Sequence, residues 1–587
     1  MKLTGLLFAA ALLGSCTQPA AEENYTRHVD PKIGTGGHGH VFVGANVPFG
    51  LVQVGPTSIP QTWDWCSGYH ASDSTVIGFS HTHLSGTGIG DLFDITVMPV
   101  VGEVTYARGE ENDPASGLWS YADRTREITK PGYYSVPLVR YGITAELTAT
   151  ERVGLHRYTF PASDAAAVVF DLENGGCWDK ATDTGFRFSD DSTRIAGWRC
   201  STGWAKNQEV YFVAEFSKPA KGISYLQPGE IDDSKMPRIA ARYARVDFDT
   251  AEGEQVLVKV ALSPVSIEGA KANLAAELPG WDFDATAAAA DKAWNDELSK
   301  VKIETEDETS KRIFYTALYH TMVAPSLFCD VNGDYRGADG KVHENPGRDT
   351  YTTFSLWDTY RAAMPLMTVL HPERMPDIIQ TMLHIADEQG RLPVWHLWGN
   401  ETDCMVGNPG IVAVADAIVK GIGGFDREKA FETIRKTAMN PDRGNGLRME
   451  YGYIPCEMFN EAVAYDMEYA LADGAAARAA EALGKAEDAK YFEERSHSYR
   501  NYFDPQTGFM RGRDSKKGWR TPFNAFASTH RADDYCEGNA WQYTWLAPHD
   551  VAGLVGCFGS RARMLEKLDS LFTVSSVVEG GETSPDI

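Results

Sequence analysis

The side-chain pattern of this chain changes near Ile267, and the change divides the chain into two folding regions. From about residue 25 to residue 265, short β-branched or aromatic stretches such as 167–170 and 210–213 alternate with Gly, Pro, Asp and Ser. Many short strands separated by turn residues are typical of a β-sandwich. After Ile267, longer helix-forming segments predominate as far as about residue 570. The sequence therefore predicts a β domain followed by a large α domain.

The predicted domain boundaries follow from this change. We assign residues 25–266 to an N-terminal β-sandwich, 267–300 to a helical linker rich in Ala, Leu, Lys and Glu, and 301–587 to the helical domain. Helices are predicted at 307–324, 355–369, 373–389, 410–421, 428–438, 460–483, 486–502 and 538–555. Residues 580–587 have the composition of a loop, so we expect the helical domain to be incomplete at its C-terminus.

Charge and composition exclude several classes of protein. The chain has 55 Lys and Arg against 81 Asp and Glu, a net charge of −26, so nucleic acid is not an expected partner. Hydrophobic residues make up 43%, which excludes a disordered chain. Aromatic residues make up 11% and include 14 Trp. This content suits a neutral, hydroxyl-bearing ligand such as a sugar, although a large core also contains many aromatic residues.

The N-terminus has the features of an export signal. Lys2 precedes an apolar run over 6–13 that is too short to span a bilayer. Residues 13–16, Leu-Gly-Ser-Cys, resemble a bacterial lipobox, so we predict that residues 1–16 are a lipoprotein signal peptide and that Cys16 carries the lipid. An ordinary cleaved signal that contains a cysteine is the alternative. We expect an exported lipoprotein, periplasmic or anchored to the outer membrane, that touches the membrane only through its lipid.

Two His-x-His pairs raise the alternative of a zinc hydrolase. Side chains at i and i+2 of a strand point to the same face, so His38 with His40, or His81 with His83, could chelate a metal ion. No HExxH motif accompanies them, and their flanks are rich in Gly and Ser. Histidines that bind loop backbone or ligand hydroxyls are the preferred interpretation. The Gly-rich run at 34–39 fits a dinucleotide motif literally, but no helix is expected after it.

Four clusters combine Trp with polar side chains. One, at 61–70, contains Trp63, Trp65 and Cys66 in the β domain. The others lie in the helical domain at 355–361, 392–404 and 535–543. Planar rings that stack on sugar C–H faces, next to carboxylates, amides and Arg, suit a polyhydroxylated ligand. Any single cluster could be a packed loop or a helix cap, but together they predict a carbohydrate site.

Glu537 is the candidate general acid for glycoside cleavage. Such cleavage usually uses two carboxyl groups, one that protonates the leaving oxygen and one that activates water or attacks the sugar. Glu537 lies at a predicted helix start beside Trp541 and Tyr543, where burial would raise its pKa and keep it protonated. A glutamate that only interacts with the helix dipole is the alternative.

Five stretches resemble glycoside hydrolase family 92, the bacterial exo-acting α-mannosidases. They are DPKIGTGGHGHVFVGANVPFG at 30–50, GYHASDSTVIGFSHTHLSGTGIGD at 68–91, FSLWDTYRA at 354–362, LPVWHLWGNETDCMVG at 392–407 and EGNAWQYTWLAPHD at 537–550. The resemblance implies a β-sandwich followed by an (α/α)6 barrel, with the active site between the two domains. It also implies a calcium-dependent, inverting hydrolysis of terminal α-mannosides, with mannose-containing glycans as the partners.

The resemblance assigns roles to particular residues. Glu537 matches the family's general acid, and Glu at this position favours ordinary glycosides over mannose phosphates. The motif stretches that match the terminal-mannose subsite contain Trp357, Asp358, Arg361, Asn400, Glu401, Asp403 and Cys404. Trp63, Trp65 and Cys66 fall in the β-domain loop that closes over this subsite and that resembles the loop of members acting on α-1,2 linkages.

One departure from the family pattern concerns the second half of the site. The resemblance places the general base and most calcium ligands after residue 587, so the metal-binding residues stay unassigned. Two alternatives therefore remain open. One is another (α/α)6 enzyme, such as a glycoside phosphorylase, in which phosphate replaces the base. The other is a lipoprotein that binds glycans without cleaving them.

Overall fold

The computed structural model describes residues 23–59, 62–187, 191–226, 238–529 and 531–575. The predicted signal peptide with Cys16, and the terminal segment 580–587, lie outside these residues. In the described part of the chain, no helix combines the length and the apolar character needed to cross a membrane.

The first half of the chain is built from strands. They are β1 (Gly55–Thr57), β2 (Thr75–Val76), β3 (Gly78–Ser80), β4 (Thr96–Val101), β5 (Ser120–Tyr121), β6 (Ile128–Lys130), β7 (Tyr133–Leu138), β8 (Ile143–Ala149), β9 (Val153–Phe160), β10 (Ser163–Asp171), β11 (Lys180–Arg187), β12 (Arg194–Thr202), β13 (Gln208–Phe216), β14 (Gly222–Leu226), β15 (Arg238–Ile239), β16 (Tyr243–Thr250) and β17 (Glu254–Ser263).

Two antiparallel sheets face each other and form the predicted sandwich. One has the strand order β1-β3-β4-β10-β16-β14, and the other has the order β15-β11-β12-β13-β17-β9-β8-β7-β6. The inner faces meet where Phe170 of β10 stacks on Phe212 of β13, with ring centroids 5.9 Å apart. Buried and half-buried residues alternate along β12, which is the period-two pattern of a strand with one face on the core.

The second half is mainly helical. It contains α1 (Ile267–Glu277), α2 (Phe283–Leu298), α3 (Glu308–His320), α4 (Leu356–Thr359), α5 (Ala363–Leu370), α6 (Met375–Gln389), α7 (Pro409–Val419), α8 (Arg427–Ala438), α9 (Asn445–Tyr451), α10 (Ala462–Ala482), α11 (Ala486–Arg495), α12 (Ala540–Tyr543), α13 (Val551–Phe558) and α14 (Arg561–Leu571). Short strands lie between the helices and form three pairs, β18-β21, β19-β20 and β25-β26, and one three-stranded sheet, β22-β23-β24. They are β18 (Ser326–Leu327), β19 (Tyr335–Arg336), β20 (Val342–His343), β21 (Tyr351–Thr352), β22 (Phe354–Ser355), β23 (Trp395–Leu397), β24 (Asn400–Glu401), β25 (Phe503–Asp504) and β26 (Phe509–Met510).

Helix α10 is the central element of the helical domain. Its Ala-rich sequence is buried on nearly every face, because small side chains allow neighbouring helices to approach closely. It packs against α7, α8 and α11. The short connection from Leu483 to Lys485 makes α10 and α11 antiparallel neighbours.

The two domains share one continuous core. Helix α1 packs on the outer face of the nine-stranded sheet, where Ile267 and Leu274 contact Leu155 and Val213. Backbone and side chains also join the domains directly, since the Phe49 amide donates to the Met322 carbonyl and the Trp294 indole donates to the Asn46 carbonyl. A site between the domains is therefore held from both sides.

Two of the predicted helices are each interrupted. The helix expected over 355–369 divides into α4 and α5, and the one expected over 538–555 divides into α12 and α13. Pro548 accounts for the second interruption, because proline has no amide hydrogen to donate within a helix.

Candidate active site

A cavity of about 630 Å³ lies between the β-sandwich and the helical domain. Its wall combines three aromatic rings with several carboxyl groups, an arginine and two cysteines, which is the composition expected of a sugar site. The residues that line it are Trp204, Thr402, Asp403, Cys404, Met405, Glu457, Met458, Phe459, Asn460, Glu461, Tyr465, Arg531 and Cys536. Of the residues predicted from sequence to bind substrate, Asp403 and Cys404 belong to this wall.

Trp204 is the contribution of the β-sandwich to the wall. Trp204 lies in the loop between β12 and β13. The buried carboxylate of Asp91 holds this loop in place, because it accepts a 2.8 Å hydrogen bond from the Ala205 amide. Gly203 permits this contact, since a Cβ there would lie 2.3 Å from an Asp91 oxygen. Burial raises the pKa of Asp91 to about 6, although the loop amides oppose the shift. The sequence pattern does not single out Trp204.

Asn400 joins the two domains beside the cavity. Its side-chain oxygen accepts a hydrogen bond from the Asn207 amide at 3.1 Å, and its nitrogen donates to the Asn207 and Trp398 carbonyls at 3.0 and 2.7 Å. This side chain, predicted to bind sugar, is thus occupied by protein partners. Asn400 positions the Trp204 loop against the helical domain.

Glu401 organises the turn that leads to Asp403. Its carboxylate accepts hydrogen bonds from the amides of Val394, Trp395 and Asp403 at 2.8, 2.9 and 3.0 Å. A carboxylate with three backbone donors is held rigidly behind the wall. The structure therefore gives this predicted binding residue a positioning role.

Asp403 and Cys404 face the cavity among cationic groups. Asp403 forms ion pairs with Arg391 and Arg443. The Cys404 thiol lies 3.7 Å from a guanidinium nitrogen of Arg531. Burial is the main cause that raises the pKa of Cys404 to about 11, and the charge of Glu537 adds to it. The Arg531 guanidinium opposes this shift. Cys404 is therefore a neutral thiol near Glu537 at ordinary pH.

Glu537 follows directly after Cys536, which lines the cavity. The backbone on either side is anchored: Tyr543 donates to the Cys536 carbonyl at 2.7 Å, and Asn539 caps α12 reciprocally with Gln542. Glu537 has a φ of 44°, in the left-handed region that non-glycine residues rarely adopt. Its side chain is half-buried. A strained and anchored backbone of this kind fixes where the carboxyl group points, which a general acid requires.

Glu461 is a second carboxyl group in the cavity, and sequence reasoning missed it. It lies immediately before α10, is 8% exposed, and has one carboxylate oxygen without a hydrogen-bond partner. Burial raises its pKa, while Arg531 and the Cys536 thiol oppose the shift. The sequence signal that could have indicated Glu461 is an acidic residue immediately before a long, Ala-rich helix. The unpartnered carboxylate oxygen can accept a hydrogen bond from a sugar hydroxyl.

The LWDTYR stretch forms a separate cluster around Glu468 of α10. The buried Glu468 carboxylate accepts from the Trp357 indole at 2.9 Å, the Tyr360 hydroxyl at 2.8 Å and the Arg361 guanidinium at 2.6 Å. Asp358 accepts a short hydrogen bond from Ser355 at the exposed end of this cluster. Trp357, Asp358 and Arg361 do not line the cavity described above. Sequence reasoning missed Glu468, although acidic residues within an Ala-rich helix could have indicated a buried polar cluster.

The β-domain loop with Trp63, Trp65 and Cys66 lies apart from the lining of this cavity. The Trp63 indole donates to the Gly88 carbonyl, and the Trp65 indole donates to Asp73, each at 2.8 Å. Trp65 also stacks on His70, with ring centroids 4.6 Å apart. Cys66 is fully buried. Both indole nitrogens are satisfied within the β domain.

The second His-x-His pair is part of the core rather than a chelating site. The two nitrogens of His81 contact the Ile95 carbonyl at 2.6 Å and His156 at 2.9 Å, and Tyr158 contacts the other nitrogen of His156 at 2.7 Å. Burial lowers the pKa of His81 to about 3 and that of His83 to about 4. These imidazoles are therefore neutral and bound to protein partners, which removes the motivation for a zinc site at His81 and His83.

The described residues do not fit a calcium site. Metal-ligand side chains converge at Glu297, His371 and Glu373, but Lys300 already places its ammonium 2.7 Å from Glu297 and 3.0 Å from Glu373. A mixed nitrogen and oxygen set that binds an ammonium differs from the oxygen shell that Ca²⁺ prefers. At the cavity, Asp403 is paired with two arginines, so it is not available as a free ligand.

Comparison with known proteins agrees with this architecture. Residues 28–263 match the model of the glycosyl hydrolase family 92 N-terminal domain, and residues 269–584 match that of the family 92 catalytic domain. A curated relative from Arthroderma benhamiae, described as an uncharacterized secreted glycosidase, is 25% identical over 647 residues, which cover 98% of this chain and 78% of the relative.

Solved structures give the same result. A family GH92 α-mannosidase from Bacteroides thetaiotaomicron, in complex with mannoimidazole, is 38% identical with a TM-score of 0.90, and the match covers 95% of this chain and 75% of that one. An inverting GH92 mannosidase of B. thetaiotaomicron is 29% identical with a TM-score of 0.82, and the match covers 93% of this chain and 74% of the mannosidase. The expected fold class, a β-sandwich followed by an (α/α)6 barrel, is confirmed. The chain belongs to glycosyl hydrolase family 92 and is a glycoside hydrolase.

Proposed function

We propose that the protein is an exo-acting α-mannosidase that removes terminal mannose from the α-mannosides of glycans. Support comes from solved relatives that are α-mannosidases and that match more than nine-tenths of this chain. The observation that carries the proposal is local: Glu537 projects from an anchored backbone turn next to a cavity with aromatic and carboxyl walls between the domains.

The arrangement suits proton donation to a leaving oxygen. Glu537 is half-buried beside the cavity, and its backbone anchors keep its carboxyl group in one place. Trp204, Phe459 and Tyr465 offer flat faces on which a pyranose ring can pack. Glu461 and Arg531 supply polar groups for hydroxyl oxygens. A cavity that closes around one or two sugar rings is consistent with attack at a chain end.

Inversion is part of the proposal. An inverting enzyme holds a water between its acid and a base, with the two carboxyl groups about 6.5–9.5 Å apart. A solved relative of the same family is an inverting mannosidase, which supports inversion for this chain as well.

Calcium dependence and α-1,2 preference are further parts of the proposal. Calcium binds sugar hydroxyls readily. Support for the metal is the family resemblance. Support for the linkage is the Trp63–Trp65 loop. Export is supported by the name of the secreted relative, and the lipid on Cys16 by the lipobox-like residues 13–16.

Product analysis with the full-length protein tests these points. Proton NMR during cleavage of an α-1,2-mannobiose should show β-mannose as the first product and no requirement for phosphate. First appearance of α-mannose would contradict inversion, and phosphate-dependent formation of a sugar phosphate would select the phosphorylase alternative. Exhaustive chelation followed by addition of Ca²⁺ or Zn²⁺ tests the metal. Binding of the disaccharide without any turnover would select a glycan-binding lipoprotein.

A further inference from the structure

Two cysteines from distant parts of the β-sandwich sequence meet next to the Trp63–Trp65 turn. The Cys177 sulfur lies 3.8 Å from the carbonyl of Thr62, the residue that begins the turn ending at Cys66. The Cys66 and Cys177 thiols interact electrostatically as side-chain partners. Cys66 is fully buried, whereas Cys177 is partly exposed. An oxidant can therefore reach one thiol of the pair while the other lies behind it.

The backbone holds both residues in place. Cys66 ends a 3-10 turn over Trp63–Trp65, and its amide donates to the Trp63 carbonyl at 3.1 Å. On the other side, the amides of Gly176 and Trp178 donate to Leu92 and Gly90 at 3.0 and 3.2 Å. These bonds flank Cys177 and bring it onto the same chain segment that the Trp63 indole contacts.

Gly90 makes this approach possible. A Cβ at residue 90 would lie 2.7 Å from the Cβ of Cys177, closer than real Cβ atoms come to one another. The absence of a side chain at Gly90 therefore lets the Cys177 loop settle against the turn that ends at Cys66.

The surroundings favour Cys177 as the reactive thiol. Contact with Cys66, followed by the nearby Arg108 guanidinium, lowers the pKa of Cys177 despite its burial. The same contact, together with burial, raises the pKa of Cys66. A thiolate stabilised by a hydrogen-bonding thiol and an arginine is the usual attacking group in thiol–disulfide exchange.

We propose that Cys66 and Cys177 form a disulfide bond that ties the Trp63–Trp65 turn to the 175–179 loop when the protein meets an oxidising disulfide. The Cys177 thiolate attacks one sulfur of the oxidant and releases the other as a thiol, which leaves a mixed disulfide on Cys177. Cys66 then loses its proton and attacks the Cys177 sulfur, which releases the second thiol. The two cysteines together lose two electrons and two protons, and the oxidant is reduced to two thiols.

Peptide mapping of the purified full-length protein tests the bond directly. The protein is incubated with glutathione disulfide, quenched in acid, alkylated under denaturing conditions and digested with trypsin. The tryptic peptides 33–108 and 158–180 each contain one cysteine, so the bond gives a unique linked pair. We expect this pair in the wild type and in Cys200→Ser, a control in the same domain, and its absence in Cys177→Ser.

Two outcomes would overturn the proposal in the wild type itself, whatever the variants do. One is that both thiols remain open to alkylation after oxidation. The other is that Cys177 retains glutathione while Cys66 stays free. A thermal melt adds an independent readout: reduction of the oxidised protein should lower Tm by a few degrees in wild type and leave Cys177→Ser unchanged. An equal response in both proteins would contradict the bond.

Discussion

The indole of Trp204, from the β-sandwich, meets the indole of Trp395, from the helical domain, edge to face with 5.5 Å between ring centroids. Trp395 is buried, so it gives the half-buried Trp204 a rigid surface to rest on. The free face of Trp204 lines the cavity. The cavity therefore depends on the docking of one domain on the other, and either domain alone would leave it without a wall.

Replacement of the Trp204 ring should reduce catalytic activity more than it reduces the stability of the fold. Trp204→Ala removes an aromatic wall worth about 1 kcal/mol, so kcat/KM for an α-mannoside should fall by about fivefold. Trp281→Ala is the matched control, because Trp281 lies on the surface against Lys259 and away from the cavity. Steady-state kinetics with both variants makes the measurement, and equal kcat/KM values for Trp204→Ala and wild type would exclude a role in binding.

Loss of the acid at Glu537 should depend on the leaving group. Glu537→Gln should slow cleavage of a mannobiose by about 10²–10⁴-fold, since a basic alkoxide needs a proton as it departs. A 2,4-dinitrophenyl mannoside leaves with little help, so its rate should fall far less. Glu450→Gln, on the surface of α9, is the control. Equal losses on the two substrates would instead indicate a damaged site, and no loss on the disaccharide would leave the acid unassigned.

The Glu468 cluster should matter mainly for stability. Glu468→Ala leaves the Tyr360 hydroxyl and the Arg361 guanidinium without their carboxylate partner, which should lower the free energy of unfolding by about 3 kcal/mol. Chemical denaturation measures the loss. Glu494→Ala, an exposed residue of α11, should change it by less than about 0.5 kcal/mol. Similar values for the two variants would show that the cluster contributes no net stability.

Acid should destabilise the β-sandwich through its buried histidines. Burial lowers the pKa of His83 to about 4 in the folded protein, while the unfolded chain titrates near 6.5. The unfolded state therefore binds more protons between these values, so this contribution to stability is lost as pH falls from about 6.5 towards 4.

A variant isolates this effect from other titrating groups. His83→Gln should reduce the pH dependence of the unfolding free energy by up to about 1.4 kcal/mol per pH unit between about pH 6 and pH 4.5. His38→Gln, at an exposed position, is the control and should keep more of the wild-type slope. Denaturant titrations over this pH range provide the measurement, and an unchanged slope in His83→Gln would contradict a neutral, buried His83.

Much of the fold was predictable because its signals are local. Alternating strands before Ile267 and helix-length patterns after it require only neighbouring residues, and both halves agree with the structure. The errors also have local causes. The apolar pattern predicts one continuous helix over 355–369, but residues 360–362 separate α4 from α5. Helix α9 was not predicted, because a seven-residue helix between Gly444 and Gly452 is too short to show a clear apolar periodicity.

The sequence by itself determined the family and the two-domain order, since contiguous motifs carry the first and local residue patterns carry the second. Tertiary structure alone decided which residues meet at the cavity. Trp204 and Cys404 are far apart in the chain, and Glu461 faces the cavity because the packing of α10 places its first turn there. Asn400 and Glu401, which looked like ligands, instead bind backbone atoms. Such contacts depend on how one domain docks on the other, and no local pattern of side chains encodes that docking.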